Sequence, residues 1–269
     1  MTISQNLIDD FRRDGAVLLK GVADAAWLER LRDALDRNIA DPGPTGKVYT
    51  KDGEGGFYFG DYCNWNRFDG YRDFVRDSGI AEKVAALMGS KKVNLFHEHV
   101  LVKDPGTQNP TPWHHDQPYW VVDGDQVCST WVALDPVPAD VAMEFVAGSH
   151  ASGTHYRPRY FIDHKDYEDH SGPSVPDIDA DRSQYRILNW ALEPGDCVAF
   201  HARTLHSAPG NHGSHRRRAV AYRWTGDDAR FARRQGQMSP PFPDVPHRPG
   251  DLMDSETFPI VWPPEQRMI

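Results

Sequence analysis

From Val93 to Trp224 the chain is written in short apolar runs separated by turn residues, and this punctuation narrows its possible architectures more than any composition figure. Val93–Lys103 (VNLFHEHVLVK) alternates with a period of two, the strand period. Val127–Leu134, Met143–Val146, Tyr185–Leu192, Asp196–His201 and Arg218–Trp224 are further runs of strand length. Clusters of Gly, Pro, Asn and Asp lie between them. Several short strands punctuated in this way predict a closed or sandwiched all-β core.

The first 90 residues read differently. Ser4 can cap a helix through Arg13, with Gly15 closing it. Ala16–Leu19 reads as a short strand. Asp24 to about Asn38 is a second helix, with Trp27, Leu28, Leu31 and Leu35 at helical spacing. Residues 41–70 are rich in Gly and Asp with scattered aromatics, predicting a long loop or irregular hairpin. Ile80–Met88 is a third helix, ended by Gly89. Residues 151–184 are polar and irregular, which fits an insertion or a lid. The Pro-rich stretch from Gln237 predicts extended chain over the surface. The expected organisation is a single domain over 1–269. Within it, a mainly helical part (1–90) packs on a β core (91–225) that carries the insertion 151–184, and an extended tail (226–269) follows.

Composition limits the function classes. Three cysteines, Cys63, Cys128 and Cys197, have no CxxC spacing, so they read as free thiols of a reducing compartment. No apolar stretch is long enough for a bilayer span, and no secretory leader is evident. A cytoplasmic protein without a membrane partner is expected. A net charge of −9 argues against nucleic-acid binding. Thirteen histidines in a cysteine-poor chain raise the expectation of a metal site.

The sharpest local feature is Trp113-His114-His115-Asp116-Gln117-Pro118-Tyr119-Trp120. On an extended strand His114 and Asp116 point to one face, where an imidazole and a carboxylate can meet one metal. Alone, such a pair is more often structural or solvated. Downstream, Gly195-Asp196 launches an apolar strand that ends at His201, and His206-Ser207-Ala208-Pro209-Gly210-Asn211 follows. Either His201 or His206 could add a third ligand. His201 otherwise reads as a barrel-mouth histidine satisfied by hydrogen bonds. Two histidines and one carboxylate form the facial triad of non-haem iron(II) oxygenases, which leaves open coordination positions. Arg217 lies eleven positions beyond His206 in the strand-like run Arg216–Trp224. If Arg217 faces inward, so do Ala219 and Ala221, and small neighbours leave room beside a guanidinium suited to a bidentate carboxylate. On its own, a basic triplet is as readily a solvated sheet edge. Beside a metal triad it fits the distal carboxylate of a 2-oxo acid.

Together these pieces identify the chain as similar to the phytanoyl-CoA dioxygenase family of 2-oxoglutarate-dependent oxygenases. The matching segments are WHHDQ (113–117), STWVALD (129–135), GSH (148–150), GDCVAFH (195–201), HSAPGN and RRAV (217–220). The resemblance implies a mostly β fold with flanking α-helices and a double-stranded β-helix core of the jelly-roll, cupin-like kind. It implies that His114, Asp116 and His206 bind Fe(II), that Arg217 holds the distal carboxylate of 2-oxoglutarate, and that Trp131 lines the same pocket. Ser207 and Val100 are the further cosubstrate contacts it suggests. It implies O2 as oxidant and hydroxylation of an unactivated C–H of a small molecule, with release of succinate and CO2. Asp116 is intact, whereas related halogenases have Ala or Gly there, so halogenation is not expected. A monomer or homodimer suits the family.

Phe59, His97, His99, Trp120, Arg157, Tyr160 and Trp224 are candidates for substrate contact, although aromatics are more often core and exposed charges more often solvated. Two other classes compete. A zinc- or other metal-dependent hydrolase or isomerase on a cupin-like barrel would keep the triad but have no use for Arg217. A ligand-binding β-barrel protein would use the histidines only structurally.

Overall fold

The computed structural model describes residues 3–50, 53 and 55–269. Two helices begin where the sequence offers caps. Ser4 Oγ accepts from the Leu7 N–H at 3.3 Å ahead of α1 (Gln5–Asp14), and Gly15 ends it in the left-handed region. Asp24 Oδ1 accepts from the Trp27 N–H at 2.9 Å ahead of α2 (Ala25–Ala40). Two short helices follow, α3 (Asp69–Asp77) and α4 (Ile80–Met88). The sequence reading missed α3 because its apolar residues Tyr71, Phe74 and Val75 are few and set among charges. Packing decides it: Phe74 stacks on Tyr222 at 5.5 Å and meets Trp27 edge-on. Gly70 allows α3 to approach α2, since a Cβ there would lie 2.4 Å from the Arg30 carbonyl oxygen.

Among the described residues, fourteen strands form the β part. They are β1 (Ala16–Leu19), β2 (Lys47–Val48), β3 (Tyr58–Tyr62), β4 (Val93–Lys103), β5 (Thr111–His114), β6 (Val122–Asp123) and β7 (Val127–Ala133). After them come β8 (Glu144–Val146), β9 (Ile187–Asn189), β10 (Cys197–His201), β11 (His206–Ala208), β12 (Arg217–Thr225), β13 (Arg230–Phe231) and β14 (Ile260–Trp262). The larger sheet runs β1-β10-β7-β12-β4-β3-β2, with β14 also paired to β4, and the smaller runs β5-β11-β8-β9. Neighbouring strands are antiparallel. β6 and β13 form a separate ribbon. Residues 41–70 thus contain a real hairpin, β2–β3, which extends the larger sheet.

The two sheets face each other, as the double-stranded β-helix expectation requires. Phe145 of β8 meets Phe200 of β10 at 5.2 Å across the gap. Trp131, Ala133, Val198, Ala219 and Ala221 complete this inner apolar layer. The opposite face of the larger sheet carries Val17, Leu19, Val100, Val102, Val132, Val220, Tyr222 and Trp224, all packed against the helices. Strand alternation sorts the same strands into these two layers.

One segment differs from expectation. The Pro-rich tail is not a surface wrapping: Met253 and Phe258 are buried with Phe96 and Trp120, and β14 pairs with β4. Its apolar residues are too widely spaced to show a period, so only tertiary contact reveals their burial. The insertion is anchored rather than loose, because Val175 and Ile178 pack on Trp113 and Leu205. Among the described residues, no helix is long and apolar enough to cross a membrane.

Candidate active site

β5 and β11 bring the first two site residues together, since His114 and His206 are direct cross-strand partners. Their ring centroids lie 4.2 Å apart. Asp116 arrives by a route other than the expected extended strand. β5 stops at His114, and Asp116 sits in helical conformation (φ −74°, ψ −41°) at the start of a 3-10 turn. The Asp116 and Gln117 N–H groups both donate to the Ala202 carbonyl, at 2.8 and 3.0 Å, and this fixes the turn. Asp116 Oδ1 then lies 3.6 Å from His114 Nε2 and 3.8 Å from His206 Nε2. The three residues are buried, and their ligand atoms lie within 4.8 Å of one another, a group that could hold a metal ion.

The outer hydrogen bonds suit ligation. His114 Nδ1 is 2.7 Å from the Pro112 carbonyl and His206 Nδ1 is 2.9 Å from that of Thr204. Each Nδ1 must carry the proton to donate to a carbonyl, which leaves both Nε2 lone pairs aimed at the Asp116 side. The second oxygen of Asp116 is held separately: Ser129 Oγ donates to Oδ2 at 3.0 Å, and Arg223 Nε is 3.6 Å from it. His201 is excluded as a ligand. Its Nε2 faces the Asp125 carbonyl at 2.8 Å, and its Nδ1 accepts from the Arg203 N–H at 3.0 Å.

The triad opens into a cavity of about 240 Å³ between the sheets. Elsewhere in the same cavity two buried cations meet, Arg217 from β12 and Lys103 from the facing end of β4. Arg217 donates to the carbonyls of Val141 and Pro209. Lys103 Nζ donates to the Asn109 and Pro209 carbonyls at 3.1 and 3.2 Å and to Thr111 Oγ1 at 3.3 Å, and it lies over the Tyr58 ring. Among the described residues neither has a carboxylate partner.

The family model for phytanoyl-CoA dioxygenase matches residues 11–219. The chain belongs to that family. A probable phytanoyl-CoA dioxygenase of Caenorhabditis elegans is 25% identical over 166 residues, covering 58% of this chain and 51% of that protein. The chain thus spans about half the length of the curated relative it matches. Among solved structures, the non-heme alpha-ketoglutarate-dependent epimerase SnoN from nogalamycin biosynthesis superposes with a TM-score of 0.75 at 24% identity, covering 96% of this chain and 97% of that one. The carbocyclase SnoK from the same biosynthesis gives 0.74 at 23% identity, over 96% of each chain. EctD from S. alaskensis, solved with 2-oxoglutarate and 5-hydroxyectoine, gives 0.70 at 19% identity, over 93% of this chain and 85% of that one. At these identities the likeness is one of fold.

The cavity of this family member takes in Trp131, Ser207 and Arg217 of the expected cosubstrate contacts. Val100 is a correction: it points into the core beneath the helices, and its neighbours His99 and Leu101 face the cavity instead. The same parity removes Phe59 and Trp224, which lie on the helix side, whereas Tyr58 and Arg223 face inward. Arg157 does not line the cavity either; it bonds Ser174 and Asp166 within the insertion. His97, His99, Trp120 and Tyr160 do line it. The insertion also contributes Arg159, Phe161 and Tyr167 to the wall, and the tail contributes Gln237, Ser239 and Pro240. Tyr58, Lys103, Thr111, Ser129 and Arg223 were not anticipated. Once Arg217 is set inward, period two points to Arg223 on the same strand. Lys103 could have been found by the same count along VNLFHEHVLVK.

Charge shapes the site. Burial pushes the Asp116 carboxyl up, but Arg223 and the two histidines outweigh it and hold the group well below the usual carboxylate range. Burial, helped by the neighbouring His114, lowers His206 to about 3, so it is a neutral imidazole ready to bind a metal. Burial lowers Arg217 to about 10, and burial with Arg217 close by holds Lys103 well below its usual range. Such buried cations are at odds with their surroundings until an anion joins them.

Proposed function

We propose that the protein is an Fe(II)- and 2-oxoglutarate-dependent dioxygenase that hydroxylates an unactivated C–H of a small molecule. The observation that carries this reading is one cavity holding both a His-Asp-His group and a pair of buried cations that, among the described residues, have no acidic partner. His114, Asp116 and His206 are the proposed iron ligands. Arg217 is the proposed clamp for the distal carboxylate of 2-oxoglutarate, with Lys103 adding charge and Trp131 and Ser207 lining the same pocket. When bound, iron and 2-oxoglutarate supply the oxidising chemistry, in which O2 is consumed and succinate and CO2 are released. The chain's own part is to position and to exclude water. Pro112 and Thr204 fix the imidazole tautomers, Ser129 holds the carboxylate, the insertion closes the cavity with aromatic side chains, and the tail adds Gln237, Ser239 and Pro240. The proposal extends to a small-molecule partner and to a cytoplasmic location, with no nucleic acid or membrane involved.

Purified protein supplied with Fe(II), ascorbate and 2-oxoglutarate is expected to form succinate, either slowly by itself or when a substrate from a screen is added. Asp116→Ala and Arg217→Ala are each expected to reduce that rate at least roughly a hundredfold, the loss of a metal ligand or of a buried charge-paired contact. Succinate formation unchanged in both variants would falsify the assignment. A metal-dependent hydrolase would give no succinate at all.

A further inference from the structure

Arg223 stands apart from the other cavity cations. It comes from β12 six residues beyond Arg217 and is 6% exposed. Its ring contacts hold it in place: the guanidinium carbon lies 5.7 Å from the Trp120 centroid and 5.8 Å from that of Phe200. Its charged neighbour is Asp116 Oδ2, 3.6 Å from Nε, an ion pair too long to count as a hydrogen bond. Nε and Nη1 are buried and have no hydrogen-bond partner among the described residues. These two atoms carry three of the five donors of an arginine fork, and leaving those unmet out of reach of bulk water is costly.

The side chains beside it share the deficit. His97, paired with Arg223 in the β4–β12 register, has an unpartnered buried Nδ1, and His99, two residues on, has an unpartnered buried Nε2. Both line the same cavity. The edge-on ring of Tyr62 fixes them at 6.3 and 5.5 Å. Burial, with Arg223 adding to it, holds both imidazoles neutral, so each can donate one N–H without competing for charge.

Charge balance gives the sign of what is missing. Of the basic side chains that line the cavity, Lys47 is exposed and Arg159 pairs with Asp166, so Lys103, Arg217 and Arg223 are the buried ones. On the oxygenase reading, the two negative charges of 2-oxoglutarate and that of Asp116 offset a divalent metal and one of these three buried cations. Two positive charges then face the cavity in a protein whose net charge is −9. Arg217 and Lys103 are assigned to the cosubstrate, which leaves Arg223 facing only Asp116, whose charge a bound metal would share.

We propose that Arg223, with His97 and His99, binds the carboxylate of an acidic substrate, and so restricts the enzyme to small carboxylic acids with an apolar body. A planar guanidinium that lines the cavity matches a carboxylate. Tyr62, Tyr119, Trp120 and Phe161 offer the apolar walls for the rest of the molecule. This inference rests on the oxygenase reading, because that reading assigns Arg217 and Lys103 to 2-oxoglutarate.

The experiment uses the full chain loaded with Fe(II) and saturating 2-oxoglutarate under anaerobic conditions, so that the cosubstrate site is filled. Three acids (phenylacetate, 4-phenylbutyrate and cyclohexanecarboxylate) are titrated by calorimetry against their primary amides. At least one acid is expected to bind roughly tenfold or more tightly than its amide, the difference one charge-assisted hydrogen bond makes. Arg223→Met is expected to bring that ratio to about one and Arg223→Lys to keep part of it, as a cation without the fork does. The ratio is internal to each variant, so a general loss of folding or metal does not imitate the effect. Equal binding of acid and amide by the unaltered enzyme, binding of none of the acids, or a preference that survives Arg223→Met overturns the proposal. Failure to bind Fe(II) and 2-oxoglutarate in the loading step overturns the oxygenase reading instead. The acid-to-amide ratio of the unloaded protein then still tests Arg223.

Discussion

β4 and β12 are neighbouring strands with two very different faces. Outward, Val100, Val102, Val220, Tyr222 and Trp224 form a saturated apolar layer under the helices. The polar groups on that face have partners: Glu98 accepts from the Asn64 and Trp65 N–H groups at 2.6 and 2.8 Å, and Trp224 Nε1 donates to Thr130 Oγ1 at 2.8 Å. Inward, the same strands present His97, His99, Lys103, Arg217 and Arg223, with donors unmet or turned to carbonyls for want of a carboxylate. One face lowers the free energy of the fold, while the other keeps polar groups waiting for a ligand. A single residue of register shift would exchange the two, so the packed face is what fixes the geometry of the reactive one.

The strongest way to break this division is through the packed face. Trp224→Ala removes a fully buried ring and leaves Thr130 without its indole donor, so a loss of about 3–5 kcal/mol is expected in urea unfolding. If the faces are energetically separate, the folded fraction of this variant binds 2-oxoglutarate as the unaltered protein does. A large change in that affinity would show that the helix-side core tunes the site. A smaller effect is expected on the inward side. Ser129→Ala deletes the hydrogen bond to Asp116 Oδ2, and Fe(II) affinity is expected to fall roughly tenfold with little change in stability, the usual range for an outer hydrogen bond to a metal ligand. An unchanged Fe(II) titration would mean that the turn anchored on Ala202, with Arg223, suffices to aim the carboxylate.

How much of this was legible in the sequence follows from the same two faces. Alternation in VNLFHEHVLVK and in Arg216–Trp224 gave the strands, and the turn residues between runs gave the sheet architecture. His114, Asp116 and His206 came together through the family resemblance and the place of Arg217 behind His206, even though the expected strand geometry for Asp116 was replaced by a helical turn. Parity decided the remaining successes and errors. Arg217 and Trp131 fell inward, but Val100 came from the resemblance and Phe59 and Trp224 from residue type, all without a count along their strands, and they fell outward. Period two carried through β12 from Arg217 would have replaced Trp224 with Arg223. The helix α3 and the buried tail had no comparable signal, since a few apolar residues among charges or prolines acquire meaning only from the surfaces they meet.

Glu98 provides the finest probe of the packed face. It is fully buried, and although the Asn64 and Trp65 N–H groups favour its ionised form, burial outweighs them and pushes the carboxyl up to about 8. The unfolded chain releases this proton near the ordinary glutamate range, whereas the folded chain keeps it until the pH approaches 8. Between those limits the folded state binds more protons, so this residue makes stability fall as pH rises, by at most about 1.4 kcal/mol per pH unit for one proton. The contribution is complete below the unfolded value and is lost once pH passes through 8. Glu98→Gln cannot ionise, so urea unfolding at pH 5.5 and 8.5 is expected to show a smaller drop for the variant than for the unaltered protein. Equal drops would mean that the two backbone donors hold Glu98 ionised throughout, and that the packed face tolerates a charge as the cavity face does.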